Sequence, residues 1–395
     1  MTNEISTQDN AFISSLLPHL NTIRKHLHQY PELSGQEYNT AAYLTSFVEK
    51  YKPTKILNNL GSGTGVVAYW DSGKPGPFIL FRTEIDALPI DEENNLNYSS
   101  INKGISHKCG HDGHAALVAG MAAWINKNPP LTGKAGLLFQ PAEETGEGAL
   151  AIVSDERFRQ LKPDYIFGLH NLPRFPLGQI VLRNGTFCAA SSGMRIILEG
   201  RTSHAAEPEK AISPMASMIN LLQTLPAITN QIQTNQPTQL TVTHARLGEA
   251  SFGITPGTAI LQVTLRAYDK VDFDALINKV KTLANEEAQK SGLKIHFQLE
   301  ETFPLTTNSE EMTHLVQTAA EKAGLNFAKN EEPFRWSEDF GHYSTIARTG
   351  FFGLGAGEEV PNLHHPQYDF PDDLIIYGIR AYKALMEILG KSNNN

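Results

Sequence analysis

The residues able to bind a metal are scattered along this chain, and that scatter constrains its fold more than any other feature. The run Ser-His-Lys-Cys-Gly-His-Asp-Gly-His, from Ser106 to His114, packs Cys109, His111, Asp112 and His114 into six residues. A second cluster stands at Glu143 and Glu144, a third at His170, and a fourth at His364 and His365. Thiolate and imidazole are zinc ligands, and a carboxylate beside them, here Asp112, can hold a ring in its binding tautomer. A structural zinc finger draws on two close ligand pairs. Ligands this far apart meet only through tertiary folding, which is the pattern of an enzyme site.

Periodicity suggests a scaffold that could do this. Phe12, Ile13, Leu16, Leu17, Leu20, Ile23 and Leu27 recur at helical spacing, and Pro31 ends the run. A second helix is expected over residues 40–51 and an alanine-rich one over 115–126. Between them lie short apolar runs at 65–70, 78–81, 135–139 and 165–169. Short, fully apolar strands between helices predict an α/β sheet covered on both faces. The polar candidates follow these runs: Glu84 and Asp86 after the second, Glu143 and Glu144 after the third, His170 after the fourth. Ligands in open α/β sheets bind beyond the carboxyl ends of strands.

The middle of the chain changes character. Strand-like stretches at 194–200, 239–245, 259–267 and 295–300 and helix-like ones at 213–225 and 272–291 run in the order strand, helix, strand, strand, helix, strand. That is the ferredoxin-like pattern. Residues 188–300 therefore read as an α+β domain inserted into a larger one built from residues 1–187 and 301–395. The length of 395 residues, too great for one ordinary core, agrees. The tail at 392–395 reads as disordered.

Composition excludes several classes. A hydrophobic content of 41% and a charged content of 19% describe an ordinary globular protein. A net charge of −9 argues against nucleic acid or an anionic membrane as partner. Two cysteines, Cys109 and Cys188, are too few for a disulfide scaffold. A single disulfide is the alternative to a free Cys109 thiolate. Residues 1–10 carry no secretory pattern, and no apolar run could span a bilayer, so a cytoplasmic location is expected.

Each candidate also has a plainer reading. Cys109 could be a small buried hydrophobe, and the Glu143–Glu144 pair an acidic surface loop. In a turn, though, adjacent carboxylates can divide two roles, one binding metal and one accepting a proton. His170 at a strand end could be a rim residue. The rings of His364 and His365 should diverge, so one of them is expected as a ligand. His204 reads locally as a surface or cap residue, and Arg266 as a solvated strand-edge charge. A cysteine-hydrolase reading leaves the other clusters unexplained. No Gly-x-Ser-x-Gly elbow or phosphate-binding glycine loop is present.

The combination resembles a known family. The stretches are Arg24 to Ser34, Asp86-Ala87-Leu88-Pro89-Ile90, His107 to His114, Gln140-Pro141-Ala142-Glu143-Glu144, Gly168-Leu169-His170, Ser203-His204-Ala205-Ala206, Ser337-Glu338-Asp339-Phe340 and Leu363-His364-His365-Pro366. Together and in this order they resemble the amidohydrolase branch of the aminoacylase and carboxypeptidase metallohydrolase clan. That branch includes hippurate, N-acyl-amino-acid and auxin-conjugate hydrolases. The resemblance implies a catalytic α/β domain with a smaller lid that dimerises. It implies two divalent ions per subunit, zinc or manganese, with cobalt or nickel as options. The implied ligands are Cys109, His111, Glu144, His170 and His364, with Cys109 bridging.

It also implies Glu143 as general base and acid, and His204 as a lid residue stabilising the oxyanion in a partner subunit. Asp86 and Asp112 would support the ligands, and Arg266 would hold a substrate carboxylate. The expected reaction is hydrolysis of the amide bond in an N-acyl amino acid or similar small conjugate. The alternatives are a dipeptidase-like or aminopeptidase-like activity, or a binding protein that kept the fold. Two positions depart from the family pattern. Glu84 stands where relatives have aspartate, and Gly253 where they have an asparagine near the substrate.

Overall fold

A computed structural model describes residues 7–390 of the chain. The described residues divide into two compact units. The larger takes residues 7–187, 306–332 and 339–390, and the smaller takes 188–305 and 333–338.

The larger unit opens with α1 (Thr7–Gln29) and α2 (Tyr38–Glu49). Strands β1 (Lys55–Leu60), β2 (Gly65–Asp71) and β3 (Phe78–Glu84) follow, then α3 (His111–Lys127), β4 (Lys134–Gln140), α4 (Gly148–Ser154) and α5 (Glu156–Arg159). Next come β5 (Tyr165–Pro173), β6 (Ile180–Leu182) and β7 (Gly185–Cys188). Every residue of β3 is buried, as are seven of the nine in β5. Successive side chains of a strand point to opposite faces, so these strands are covered on both sides. Ile13, Leu20, Ile23 and Leu27 of α1 pack into the same core as Ala115–Ala119 of α3. The periodic stripe read in α1 is therefore its buried face.

The smaller unit comprises β8 (Ala190–Glu199), β9 (Ser203–His204), α6 (Met215–Thr224), β10 (Thr238–Leu247), β11 (Ile254–Thr255), β12 (Thr258–Ala267), α7 (Lys270–Lys290) and β13 (Lys294–Phe303). Its sheet order is β10-β12-β8-β13, antiparallel throughout. This is the ferredoxin-like arrangement. Alternate residues of β12 are buried, and Leu261, Val263 and Leu265 share a core with Leu276, Val280 and Ala284 of α7. Asp269 caps α7, its side chain accepting the N–H groups of Val271 and Asp272. Residues 333–338 join this unit through a bridge between Cys188 and Phe334 and a bond from Ala189 N–H to the Trp336 carbonyl (3.2 Å).

The chain then returns to the larger unit with β14 (Thr306–Asn308), α8 (Glu310–Lys322), β15 (Phe327–Lys329), β16 (Arg348–Gly357) and α9 (Leu374–Leu389). The large sheet runs β1-β2-β4-β3-β5-β16-β6-β15. Its central strands β4, β3, β5 and β16 are parallel, so their carboxyl ends share one edge. No helix among the described residues is long and apolar enough to cross a membrane. The tail at 392–395 lies outside the described residues.

Candidate metal centre

The parallel strands set the site. Glu84 is the last residue of β3, with Asp86 two residues on; Glu143 and Glu144 follow β4. His170 does not follow β5 but lies within it, in register with Gly353 of β16. Cys109 and His111 flank the start of α3, which begins four residues earlier than its alanine-rich stretch suggested. Gly110 between them adopts φ +90°, and a Cβ there would sit 2.8 Å from Asn171 Oδ1. Only glycine makes this turn comfortably, and the turn aims both flanking side chains into one space.

These side chains lie close together. Cys109 Sγ lies 3.4 Å from His170 Nε2. His111 Nε2 lies 3.9 Å from a carboxylate oxygen of Glu143 and 3.9 Å from one of Glu144. His364 Nε2 is 3.6 Å from Glu144 Oε2. Among the sets whose donor atoms all lie within 4.8 Å of one another, three join the expected ligands and Glu143: Cys109–His111–His170, Cys109–Glu144–His364 and His111–Glu143–Glu144. Cys109 belongs to two of them. His365 turns away, its Nδ1 accepting the Gln367 N–H (3.1 Å).

The second ring nitrogens are held. His170 Nδ1 lies 2.9 Å from the Asn171 carbonyl, which makes it a donor and leaves Nε2 as the atom facing Cys109. His111 Nδ1 lies 3.0 Å from the Asp86 carbonyl and 3.2 Å from Asp86 Oδ1. Asp86 also accepts the Ser34 hydroxyl (2.7 Å) and the Glu144 N–H (2.9 Å). Asp112 holds a ring too, but that of His28 (2.9 Å), and it pairs with Arg24 (3.2 Å). Glu84 pairs with Arg82 and with His114 Nδ1 (2.9 Å), and His114 Nε2 accepts the Asn171 N–H (3.1 Å).

Two turn residues near the site hold left-handed conformations, Ala142 at φ +51° and His364 at φ +63°. Glu37 accepts the Ala142 N–H (2.8 Å) and so fixes the turn that presents Glu143. Glu37, His114 and Asn171 carried no assigned role in the sequence. His114 alone had a signal, standing three residues after His111 on the same helix face.

Burial and charge work against each other here. Burial, then the carboxylates of Glu144, Glu143 and Glu84, push the Cys109 thiol well up. Burial opposes a charge on His111, yet the Asp86 bond and the Glu144 and Glu84 charges outweigh it and push its pKa up to about 10. Burial, then the neighbouring His114, holds His170 well below the ordinary imidazole range. His111 Nε2 is buried with no hydrogen-bond partner. A buried polar atom left so is costly. The soft thiolate, imidazole and carboxylate donors around it fit a divalent cation.

The smaller unit holds the other two candidates. His204 is exposed, paired with Ile254 across the β9–β11 ribbon, and its Nδ1 accepts the Ala206 N–H (3.0 Å). Its Nε2 is then the proton-bearing atom. Gly253 accepts the Ala205 N–H (3.0 Å), and a Cβ on it would meet nothing within 4 Å. Arg266 lies on an inner strand of its sheet and is no solvated edge charge. Its Nη1 donates to the Arg335 carbonyl (2.9 Å) and to Ser337 Oγ (2.8 Å).

The chain is 33% identical over 372 residues to the N-acetyl-L-cysteine deacetylase of Bacillus subtilis, covering 92% of this chain and 86% of that protein. It superposes on the crystal structure of the Bacillus subtilis YxeP protein, a dinuclear metal-binding peptidase from the M20 family. The TM-score is 0.79 with 27% identity, over 95% of this chain and 99% of that one. An aminobenzoyl-glutamate utilization protein from Klebsiella pneumoniae shares the fold, with a TM-score of 0.76 at 17% identity over 97% and 98% of the two chains. Residues 80–388 match Peptidase family M20/M25/M40, and the chain belongs to that family of amide-cleaving hydrolases.

Proposed function

We propose that this chain is a dinuclear-metal amidohydrolase that cleaves the amide bond of N-acyl amino acids or similar small conjugates. Cys109, His111, Glu144, His170 and His364 would hold the ions, and Cys109 lies in two of the donor sets. The observation that carries this reading is the overlap of the ligand sets at Cys109, beside a buried His111 Nε2 that has no hydrogen-bond partner. When bound, divalent ions polarise the scissile carbonyl and lower the pKa of the attacking water. Zinc suits the thiolate and imidazole donors and manganese the carboxylates, and cobalt or nickel would also serve.

Glu143 sits beside the ligands on a turn held by Glu37, and takes the proton from water before delivering it to the leaving nitrogen. Asp86 holds His111 in the Nδ1–H tautomer and braces the Glu143–Glu144 turn through the Glu144 N–H. His204 donates from Nε2 to the developing oxyanion. The smaller unit is the lid, and through it two copies pair so that His204 serves the partner's site. Arg266 binds the substrate carboxylate with the donors it does not spend on Arg335 and Ser337. The enzyme works in the cytoplasm, where its two free cysteines stay reduced.

A substrate panel on metal-reconstituted protein tests the reading. N-acetyl amino acids, N-acetyl-L-cysteine among them, and N-benzoyl amino acids should be hydrolysed, and chelation should abolish turnover. Turnover of dipeptides alone would overturn the substrate class. Turnover unaffected by chelators, in protein that holds no metal on elemental analysis, would overturn the mechanism.

A further inference from the structure

We infer that Lys108 is a positioning residue that builds the seat of one metal ion by fixing the backbone that carries His364; this rests on the ligand assignment proposed above. Lys108 is completely buried although it carries an ammonium group. Its Nζ lies 2.7 Å from Glu92 Oε1 and 2.9 Å from the Tyr368 carbonyl. Its own backbone carbonyl accepts the His364 N–H at 2.8 Å. One residue thus grips the 364–368 loop at both ends, by its backbone at His364 and by its side chain at Tyr368. The next residue in the chain is Cys109, the ligand shared by two of the donor sets.

His364 needs such a grip. Its side chain is 51% exposed, so packing alone does not set where the imidazole points. Its backbone sits at φ +63°, a region unfavourable for a non-glycine residue that persists only where the surroundings over-determine it. The surroundings that do so here are bonds to the loop. Besides the two from Lys108, Glu93 N–H reaches the Pro366 carbonyl (3.1 Å) and Tyr368 N–H reaches the His365 carbonyl (2.8 Å). Taking an ammonium out of water is expensive, so an anchor with no further task would be better served by an apolar side chain. A charge-assisted bond to a carbonyl fixes the loop in distance and direction, which apolar packing does not. The distance between the Cys109 and His364 donor atoms therefore passes through Lys108.

The test uses the full chain with Lys108→Met, stripped of metal and titrated with zinc. The readouts are ions per subunit and the affinity of each. The expected result is one ion bound as in the wild type and the other weakened about 10–100-fold, the range for residues that orient ligands. His364→Ala in parallel should lose that same ion. Adding Lys108→Met to His364→Ala should cost no further affinity, because both act through one seat. Folded Lys108→Met that holds both ions with wild-type affinity and loses only thermal stability would overturn the inference, leaving a structural lysine. Should Lys108→Met not fold, Glu92→Gln removes the charge partner and keeps the lysine. The same selective weakening is expected there, and wild-type affinity for both ions would overturn the inference. If His364→Ala keeps both ions, the ligand assignment itself fails; if it loses one while Lys108→Met loses none, only the role of Lys108 fails.

Discussion

Asp86 Oδ1 lies 3.2 Å from His111 Nδ1, while the other oxygen of the same carboxylate accepts the Glu144 N–H at 2.9 Å. One buried aspartate therefore orients two candidate ligands that stand 33 positions apart in the sequence. Asp86→Asn keeps the size but turns one acceptor oxygen into a donor, so one of the two bonds is lost. Zinc affinity should fall about 10–100-fold with little change in far-ultraviolet circular dichroism. Unaltered affinity in a metal titration would remove Asp86 from the site's support.

The two glutamates after β4 should separate cleanly. Glu143→Ala should keep its metal and lose turnover by roughly 10²–10⁴-fold, the usual share of general acid–base catalysis. Glu144→Ala should lose metal first and activity in consequence. Elemental analysis beside kcat decides this, and the opposite pattern would mean that their roles are exchanged.

His28 makes stability depend on pH. Burial disfavours its charge, but bonds to Asp112 and Glu92 outweigh that and push its pKa up to about 9. A histidine raised in the folded state contributes fully below its unfolded value of about 6.5, and the contribution is lost as pH rises through about 9. The amount is on the order of 3 kcal/mol, counted once for the whole His28–Asp112–Glu92 group. Metal-free protein should therefore show a falling Tm between about pH 6.5 and 9. His28→Asn should start lower and flatten that slope, and parallel slopes would refute the assignment.

Arg266 is tied to residues 333–338, so its removal has two separable effects. Arg266→Ala should lower Tm by losing the bonds to the Arg335 carbonyl and Ser337. If it also clamps a carboxylate, wild-type enzyme should prefer an N-acyl amino acid over its carboxamide by on the order of 2–4 kcal/mol in kcat/KM. The variant should lose that preference. Equal losses on both substrates would leave Arg266 as an anchor for the 333–338 segment and nothing more.

The role of His204 across a dimer can be tested by mixing. Glu143→Ala and His204→Ala subunits are each inactive in this scheme, and a mixed dimer regains one complete site. Under conditions shown to exchange subunits, recovered activity is expected. Its absence would mean that His204 acts within its own chain or not at all.

Wherever the local pattern was strong, the sequence determined the element. The stripe of α1, the apolar runs of β3, β4 and β5, and the strand–helix order of the smaller unit follow from hydrophobic period, which residues express without reference to distant partners. The reactive residue types were legible for a similar reason, since few other tasks call for cysteine, histidine and paired glutamates beside apolar strands. Strand β16 was not legible. Its run Arg348-Thr-Gly-Phe-Phe-Gly-Leu-Gly-Ala-Gly is rich in glycine and has little strand preference of its own, and pairing with β5 and β6 makes it a strand. Sequence adjacency also suggested Asp112 as the carboxylate beside the ligand rings. Yet Asp112 lies on α3 against His28 and Arg24 of α1, while Asp86 arrives beside His111 from the end of β3. Which carboxylate orients which ring, and which lysine grips the loop of His364, depends on where separate strands and loops end in space. Only the register of the parallel sheet and the packing of α1 against α3 decide that.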